Sequence, residues 1–444
     1  MLLVGNGRII TRDENNTYIE NGIVAIKDNK IIDISEGNEL LKKYPNSKFI
    51  DANGGLIMPG FINTHNHIYS AFARGLSING YNPSNFNDIL EGMWWKIDSM
   101  LNLECIKYSA YATYIDCIKN GVTTVFDHHA SYLDIADSLF TIAAVAEELG
   151  VRTNLCFEIS DRNGEELMHK AVKESVDFIN YTEKEKNDML KAMMGLHASF
   201  TVSDKTLNYC NEQKPSNIGY HIHVAEGISD VYDCLSKYNK RIVNRLFDMN
   251  VLGDKTIAAH CIHIDKNEMD ILKNTNTIVV HNPESNMGNA VGCGAVIDMF
   301  KSGIKLGLGT DGYTNDMLES LKVGNLIHKH NLCNPTVAWA EIPYMLFNNN
   351  ADIANRFLDG QVGRIKCGYY ADIIIADYDP LTPMTKENIN SHILFALVGK
   401  DVRTTIINGK ILMKDHEIIG VDTKRIYAKS RELASQLWEA INKI

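Results

Sequence analysis

The sequence predicts an α/β protein, a TIM-like (β/α)8 barrel with a small β-sandwich domain built from both ends of the chain. Three observations support this prediction. Short apolar runs that fit buried strands recur through the middle of the chain, helical stretches lie between them, and β-rich segments occupy both ends. Alternation of buried strands with helices is typical of parallel βα units.

Eight apolar runs are predicted to be the barrel strands, because continuous apolar segments mark strands that are buried on both faces. Eight is also the number that a (β/α)8 barrel needs. Helices are predicted between them, among others at Leu139–Leu149, Glu165–Ile179 and Val231–Met249. The predicted strands are Phe61–His65, Thr123–Phe126, Arg152–Phe157, Met193–His197, Gly219–His223, Thr256–His260, Thr277–His281 and Lys305–Gly309.

The two ends of the chain are predicted to form one further domain. We expect a β-sandwich from residues 1–58 and 366–444, around a barrel of residues 59–365. The final amphipathic helix, Lys424–Asn442, should pack on the outside. The strands predicted at the two ends are Val4–Ile10, Gly22–Lys27, Lys30–Ser35, Ala371–Ala376, Val402–Ile407 and Lys410–Met413.

Composition narrows the class of protein. The 444 residues are 45% hydrophobic and carry a formal charge of −11, which argues against a nucleic-acid-binding surface. No run approaches 18 apolar residues, and the N-terminus lacks a basic region followed by an apolar stretch, so neither a membrane span nor a signal peptide is predicted. Nine cysteines without a C-x-x-C pair fit free thiols in a reducing cytoplasm. We expect a cytoplasmic homodimer with a small-molecule substrate and no membrane contact.

Histidines and acids lie at the carboxyl ends of most predicted barrel strands. His65 and His67 form a His-x-His pair, and residues i and i+2 of a strand point to the same face. Alone, such a pair is as easily two hydrogen-bonded histidines as two metal ligands. In a (β/α)8 barrel, however, all these strand ends open on one face, where active sites are built. The regular placement therefore favours metal-assisted hydrolysis.

Several motifs resemble the amidohydrolase superfamily, in the order that this family shows and across nearly the whole chain. The motifs from residue 221 onward are similar to those of the cytosine deaminase/chlorohydrolase (ATZ/TRZ) branch. The motif at 94–95, followed by the motif at 127–131, is most similar to those of the SsnA-type aminohydrolases. The motifs are PGFINTHNH at 59–67, WW at 94–95, DHHAS at 127–131, HIHVAE at 221–226, HCIH at 260–263, HNPESN at 281–286 and LGTDG at 308–312.

The resemblance implies a metallo-hydrolase barrel and a role for each matching residue. His65, His67, His223 and Asp311 would be the four protein ligands of the metal, with an open position for water. Glu226 would pass a proton to a ring nitrogen or leaving group. His260 would hold and polarise the attacking water, and Asp311 would relay its proton to the departing amine. For Glu226, a carboxylate that merely favours a helix start is the alternative.

The resemblance also bears on the number and kind of metal ions. Members with two metals usually bridge them with a modified lysine from the fourth strand. Here that strand ends in His197, and Lys191 lies at its opposite end, so one metal ion is expected. Zinc and iron(II) both suit three histidines and an aspartate. We prefer zinc.

Substrate contacts and the exact reaction are less closely constrained. Arg74, Trp94 or Trp95, His129 and His197 are predicted to line the substrate pocket, where a tryptophan can stack on a flat heterocycle and Arg74 can read an electronegative group. Each has a plain structural alternative, such as a surface arginine or a core tryptophan. His281 and His263 are expected to support the wall of the site.

The expected reaction is hydrolysis of an exocyclic C–N bond of a purine-, pterin- or triazine-like heterocycle, with release of ammonia. Two alternatives stay open. The same site can remove another leaving group or open a cyclic amide, and a barrel of this kind can also be a non-catalytic scaffold. The presence of all the ligand positions together with Glu226 and His260 argues against the scaffold.

Overall fold

A computed structural model describes residues 1–443 of the chain. Eighteen strands alternate with helices in the middle of this range and follow one another directly near its ends. The strands are β1 (Leu2–Ile10), β2 (Tyr18–Lys27), β3 (Lys30–Glu36), β4 (Lys48–Asp51), β5 (Leu56–Pro59), β6 (Phe61–Asn66), β7 (Val122–His129), β8 (Arg152–Phe157), β9 (Leu190–Ala192), β10 (Met194–Ala198), β11 (Tyr220–Val224), β12 (Ile257–His260), β13 (Ile278–His281), β14 (Leu306–Leu308), β15 (Ile373–Ala376), β16 (Val402–Ile407), β17 (Lys410–Lys414) and β18 (Glu417–Ile418).

The helices form the outer layer of the barrel and its covering segments. They are α1 (Glu39–Lys43), α2 (Phe86–Ile89), α3 (Trp95–Asp98), α4 (Leu103–Lys119), α5 (Ser138–Leu149), α6 (Glu165–Glu185), α7 (Asp204–Gln213), α8 (Ile228–Tyr238), α9 (Ile242–Asp248), α10 (Lys266–Asn274), α11 (Pro283–Gly288), α12 (Val296–Ser302), α13 (Met317–Leu332), α14 (Glu341–Tyr344), α15 (Asn350–Ala354), α16 (Ile389–Ala396) and α17 (Thr423–Ile441).

Two parallel sheets make the barrel. Strands β6-β7-β8-β9 form one sheet and β10-β11-β12-β13-β14 the other. Parallel bridges join their edges, Ile159 with Leu196 on one side and Asn66 with Asp311 on the other. The second junction is reinforced because the amide of Asp311 donates to the carbonyl of His65 at 3.0 Å. The eight predicted strands are thus confirmed, with β9 as a short additional strand directly before β10, and the carboxyl ends of the eight share one face.

The third sheet combines strands from both ends of the chain. β1 pairs with β2, β4 and β5, and β5 continues antiparallel into β15, which joins β16, β17 and β18. Apolar side chains from both halves, such as Val4, Ile57 and Ile373, share one buried core. The predicted β-rich ends are confirmed, although β4 and β5 were not predicted. The proposed boundaries at residues 58/59 and 365/366 stay a prediction.

Two helical segments can be compared with the helices that the sequence predicted. The helix predicted over Val231–Met249 is two helices, α8 and α9, because Asn239 takes the left-handed conformation (φ +52) that ends α8. The final helix α17 packs outside the barrel as expected, and its Trp438 Nε1 donates to the carbonyl of Phe72 at 2.7 Å. Within residues 1–443, no helix is long and apolar enough to cross a bilayer.

Candidate metal centre and active site

Five predicted site residues meet at the carboxyl face of the barrel. His65 comes from β6 and His67 directly follows it, His223 comes from β11, His260 from the end of β12, and Asp311 from the turn after β14. The ligand atoms of the first three all lie within 4.8 Å of one another, and those of His65, His260 and Asp311 do so as well. Residues separated by up to 246 positions along the chain therefore form one cluster.

The histidines of this cluster are oriented by hydrogen bonds from their Nδ1 atoms. His67 Nδ1 donates to the carbonyl of His128 at 2.5 Å, and His223 Nδ1 donates to the carbonyl of His197 at 2.8 Å. Each donation leaves the Nε2 of the same ring without a proton when the ring is neutral. These two Nε2 atoms lie only 3.2 Å apart, and His67 Nε2 lies 3.2 Å from Asp311 Oδ1.

The donor set fits a divalent cation. Lone pairs that face each other at this distance repel unless a cation lies between them. His65 Nε2 is buried in the same cluster without any partner, while its Nδ1 bonds His221 Nε2 at 2.8 Å. Burial and the neighbouring histidines hold the pKa of His65 and His223 well below the usual value, so both rings are neutral, the form that binds metal.

Asp311 is fixed by its own loop. The residue has φ +57, and its carboxylate accepts hydrogen bonds from Ser285 Oγ at 2.7 Å and from the amide of Gly312 at 2.6 Å. Burial alone would raise its pKa, but the neighbouring His67 and His260 rings and these hydrogen bonds lower it overall. The side chain is thus held as a carboxylate that faces the histidines.

Glu226 lies beside this cluster and outside the ligand groups. Ala225, with φ +48, ends the extended run of β11 and turns Glu226 toward His260, so that Glu226 Oε2 lies 3.4 Å from His260 Nε2. Asn289 Nδ2 donates to Glu226 Oε1 at 3.2 Å. Burial and the Asp311 carboxylate raise the pKa of Glu226 well above its usual value. A carboxyl group with a raised pKa in a cleft suits proton transfer.

A chain of hydrogen bonds leads from His260 away from the cluster. His260 Nδ1 bonds Asn286 Oδ1 at 2.8 Å, and Asn286 Nδ2 lies 3.4 Å from His281 Nδ1. His281 Nε2 bonds His328 Nε2 at 3.1 Å, and His328 Nδ1 lies 3.5 Å from Cys293 Sγ. Donation can run in one direction along this chain, which leaves the buried Nε2 of His260 bare and facing the cluster.

Two cavities adjoin the cluster, and their walls share His67, Ser70, Trp94, Asp311, Gly312 and Tyr313. The inner cavity has a volume of about 40 Å³ and the outer cavity about 300 Å³. The inner cavity is lined by His67, Tyr69, Ser70, Phe86, Leu90, Trp94, Trp95, Glu158, His197, His223, Glu226, Ser285, Asn289, Asp311, Gly312 and Tyr313. Tyr69, Phe86, Trp94, Trp95 and Tyr313 contribute aromatic rings to this wall, and such rings can stack on a planar heterocycle.

The residues predicted to contact the substrate are distributed unevenly. Trp94, Trp95 and His197 line the inner cavity. Arg74 lies on the rim of the outer cavity, where its side chain is 72% exposed and its Nη2 lies 3.3 Å from Asp116 Oδ2. His129 lines neither cavity: its ring is fully buried beside Tyr69, and its Nε2 bonds Ser131 Oγ at 2.9 Å. The structure does not bring His129 to the place that the sequence predicted.

Glu158 is a cavity-lining residue that we did not predict from the sequence. This residue directly follows β8 and lines the inner cavity, where Arg162 Nη2 donates to Glu158 Oε1 at 3.2 Å. The rule that located the other residues, an acid or histidine at a strand end, would have found it. His263 was expected to support the wall, and its Nε2 bonds the carbonyl of Val291 at 2.8 Å.

Known proteins are similar to this chain in sequence and in fold. The profile of the amidohydrolase family matches residues 56–412. A 5'-deoxyadenosine deaminase of Methanosarcina mazei is 30% identical over 99% of both chains. A 5-methylthioadenosine/S-adenosylhomocysteine deaminase of Thermococcus sibiricus is 32% identical over 93% of this chain and 94% of the relative.

Among solved structures, an adenosine deaminase from Xanthomonas campestris with bound zinc superposes with a TM-score of 0.87. It covers 100% of this chain and 99% of its own at 19% identity. An atrazine chlorohydrolase from Arthrobacter aurescens, complexed with zinc and atraton, gives a TM-score of 0.84 at 19% identity, over 98% and 100% of the two chains. The fold and the centre together define a barrel metallo-hydrolase. The chain belongs to the amidohydrolase family.

Proposed function

We propose that this protein is a zinc-dependent deaminase that hydrolyses the exocyclic C–N bond of an adenine-type heterocycle, with adenosine derivatives as its substrates. The observation that supports it most is the convergence of unprotonated ring nitrogens from His67 and His223 and the orphaned Nε2 of His65 on the Asp311 carboxylate, with Glu226 beside them. The two deaminase relatives support the substrate class.

We assign the metal to His65, His67, His223 and Asp311. Zinc bound by three histidines and a carboxylate acts as a Lewis acid and activates water at neutral pH. A third group of candidate ligand atoms, from His128, Glu158 and His223, shares His223 with this set. One ion per chain satisfies the donors, because His223 offers a single free nitrogen.

Side chains of this protein carry out the proton transfers. Water adds to the carbon that bears the amine, the C–N bond breaks, ammonia leaves and a carbonyl forms. Glu226, with its raised pKa, donates a proton to the ring nitrogen next to that carbon. His260 holds the attacking water through its bare Nε2, and the Asp311 carboxylate, 3.4 Å from that nitrogen, takes a proton from this water and passes it to the departing amine.

A substrate panel tests the proposal. Zinc-loaded protein is incubated with 5'-deoxyadenosine, 5'-methylthioadenosine, adenosine, guanine, a pterin and a triazine, and ammonia is quantified. We expect turnover of at least one adenosine derivative and less than a hundredth of that rate with Glu226→Gln. Turnover of the triazine alone would indicate the alternative, removal of a different leaving group.

We further propose that the protein works as a homodimer in the cytoplasm. Ile228, Tyr232 and Leu235 form an exposed apolar stripe on α8, with Tyr232 65% exposed, and such a stripe suits burial against a second copy. All nine cysteines are free, as a reducing compartment requires. Light scattering on the wild type should give twice the chain mass, and Tyr232→Lys should lower it, whereas Tyr209→Lys on α7 serves as a control.

A further inference from the structure

One carboxylate in the wall of the inner cavity has no part in the mechanism above. Glu158 is only 2% exposed, yet its side chain lines the cavity and lies among donors and rings from three elements. Arg162 Nη2 donates to Glu158 Oε1, and His128 Nδ1 lies 3.4 Å from Glu158 Oε2. A carboxylate oxygen can accept more than one hydrogen bond, so Glu158 retains acceptor capacity toward the cavity.

The guanidinium of Arg162 pairs with two acids at this wall through its Nη2 atom. Arg162 bonds both Asp98 and Glu158, and its plane lies over the rings of Trp95 and Tyr132 at 5.0 and 4.8 Å. This wall therefore presents the Glu158 carboxylate to the cavity as a hydrogen-bond acceptor, with the charge of Arg162 paired behind it.

The neighbouring histidine presents a second acceptor. Thr201 Oγ1 lies 3.2 Å from the carbonyl of Ala198, to which it can donate, and 2.6 Å from His197 Nδ1, and we assign the ring proton of His197 to Nδ1, where it completes this series of hydrogen bonds. His197 Nδ1 thus carries the ring proton and Nε2 is left bare. His197 Nε2 lies 4.0 Å from Glu158 Oε1.

We propose that Glu158, together with His197, determines substrate specificity by selecting compounds that present N–H or O–H donors to this wall. The inference rests on the proposed deaminase function. A substrate that lacks such donors leaves two buried acceptors without partners, which costs more than a lost contact on an open surface. The donors can be the hydroxyl groups of a sugar or a ring N–H of a free base, since both offer the same chemistry.

Two pairs of compounds distinguish these sources. Adenosine is compared with 2',3'-dideoxyadenosine, which lacks the two hydroxyls, and adenine with 9-methyladenine, which lacks the ring N–H. For zinc-loaded wild type we expect a preference of at least about 10-fold in kcat/KM for the donor-bearing member of one pair, the scale of a hydrogen bond to a charged group. The pair that shows the preference identifies the source of the donors.

Glu158→Gln should reduce that preference to less than about 3-fold, because an amide replaces the charged acceptor at the same size. Thr201→Val should give an intermediate preference, since it frees His197 to place its proton on either nitrogen. Glu174→Gln is the matched control: Glu174 is a buried carboxylate that caps the start of α5, away from both cavities, and the preference should remain. Zinc content and the melting temperature of each variant show that it is folded and loaded.

Binding separates failure of this inference from failure of the proposed function. If no compound releases ammonia, the deaminase proposal fails, and the same four compounds are then ranked by quenching of the fluorescence of Trp94 and Trp95, which line the cavity. Equal affinity or equal kcat/KM within both pairs overturns the role of Glu158. The absence of binding by all four compounds, or an unchanged preference in Glu158→Gln, overturns it as well.

Discussion

Two groups of buried histidines lie next to each other in this barrel, and their hydrogen bonds differ. In the candidate metal centre, the Nδ1 atoms of His67 and His223 donate to backbone carbonyls, and their unprotonated Nε2 atoms face each other. In the outer pair, His281 and His328 use both ring nitrogens on protein partners. Burial lowers the pKa in both groups. Burial of a histidine alone therefore does not identify a metal site, whereas ring nitrogens that converge without hydrogen-bond partners do.

The largest effect should come from removing a ligand of the centre. We expect His223→Ala to lose both zinc and activity, since three remaining ligands hold the ion poorly and the open position no longer has fixed geometry. Elemental analysis of the purified protein, with activity measured in parallel, checks this. His328→Ala should keep about one zinc per chain, and if it lost its metal to the same extent, the distinction between the two groups would be wrong.

Glu226→Gln should affect chemistry without affecting metal binding. The amide keeps the size and the contact with Asn289 but cannot transfer a proton, so turnover should fall by at least about 10²-fold. Zinc content should stay near that of the wild type. Single-turnover kinetics and elemental analysis on the same preparation measure both quantities. A metal-free Glu226→Gln protein would assign Glu226 to the ligands of the metal instead.

The connection between the two groups is Asn286, and its loss should have a smaller effect. Asn286→Leu removes the acceptor that fixes the His260 tautomer, and losses of this kind of orienting contact cost about 10–100-fold in activity. Asn286→Asp keeps an acceptor for His260 Nδ1 and should recover part of the activity. Steady-state kinetics of both variants at saturating metal provide the measurement. Equal losses in the two variants would indicate a packing role for Asn286.

The smallest effect concerns the stability of the outer pair at acid pH. Burial lowers the pKa of His328 from 6.5 to about 4 in the folded protein. Between these values the unfolded chain binds a proton that the folded chain does not, so the free energy of unfolding decreases as the pH falls from about 6.5 to 4. His328→Phe removes this term, and the loss of stability over that range should shrink by on the order of 1–2 kcal/mol.

Urea denaturation of the wild type and of His328→Phe at pH 6.5 and 4.5 measures the difference. His330→Phe, on the same helix but outside the chain of hydrogen bonds, serves as the control and should reproduce the wild-type pH dependence. A variant whose stability falls with pH as steeply as that of the wild type would show that His328 titrates normally in the folded protein.

The amino-acid sequence alone predicted the fold class and, through the family resemblance, the residues of the candidate metal centre. Apolar runs fixed where the eight strands lie, because a parallel strand buried on both faces needs an apolar residue at nearly every position. The histidines and acids at the ends of those runs then followed from the rule that strand ends share one face. The family resemblance agrees with the relatives, which are deaminases.

The ring nitrogen of each histidine that stays without a proton, and the side chains that reach the cavity, depend on tertiary contacts. His129 and Glu158 illustrate the limit, since both follow predicted strands and only one lines the cavity. The outcome depends on where neighbouring elements place their carbonyls, rings and guanidinium groups. We assign a bare Nε2 to His197 because its Nδ1 lies beside Thr201 Oγ1, which can donate to Ala198, and contacts of this kind exist only once the chain is folded.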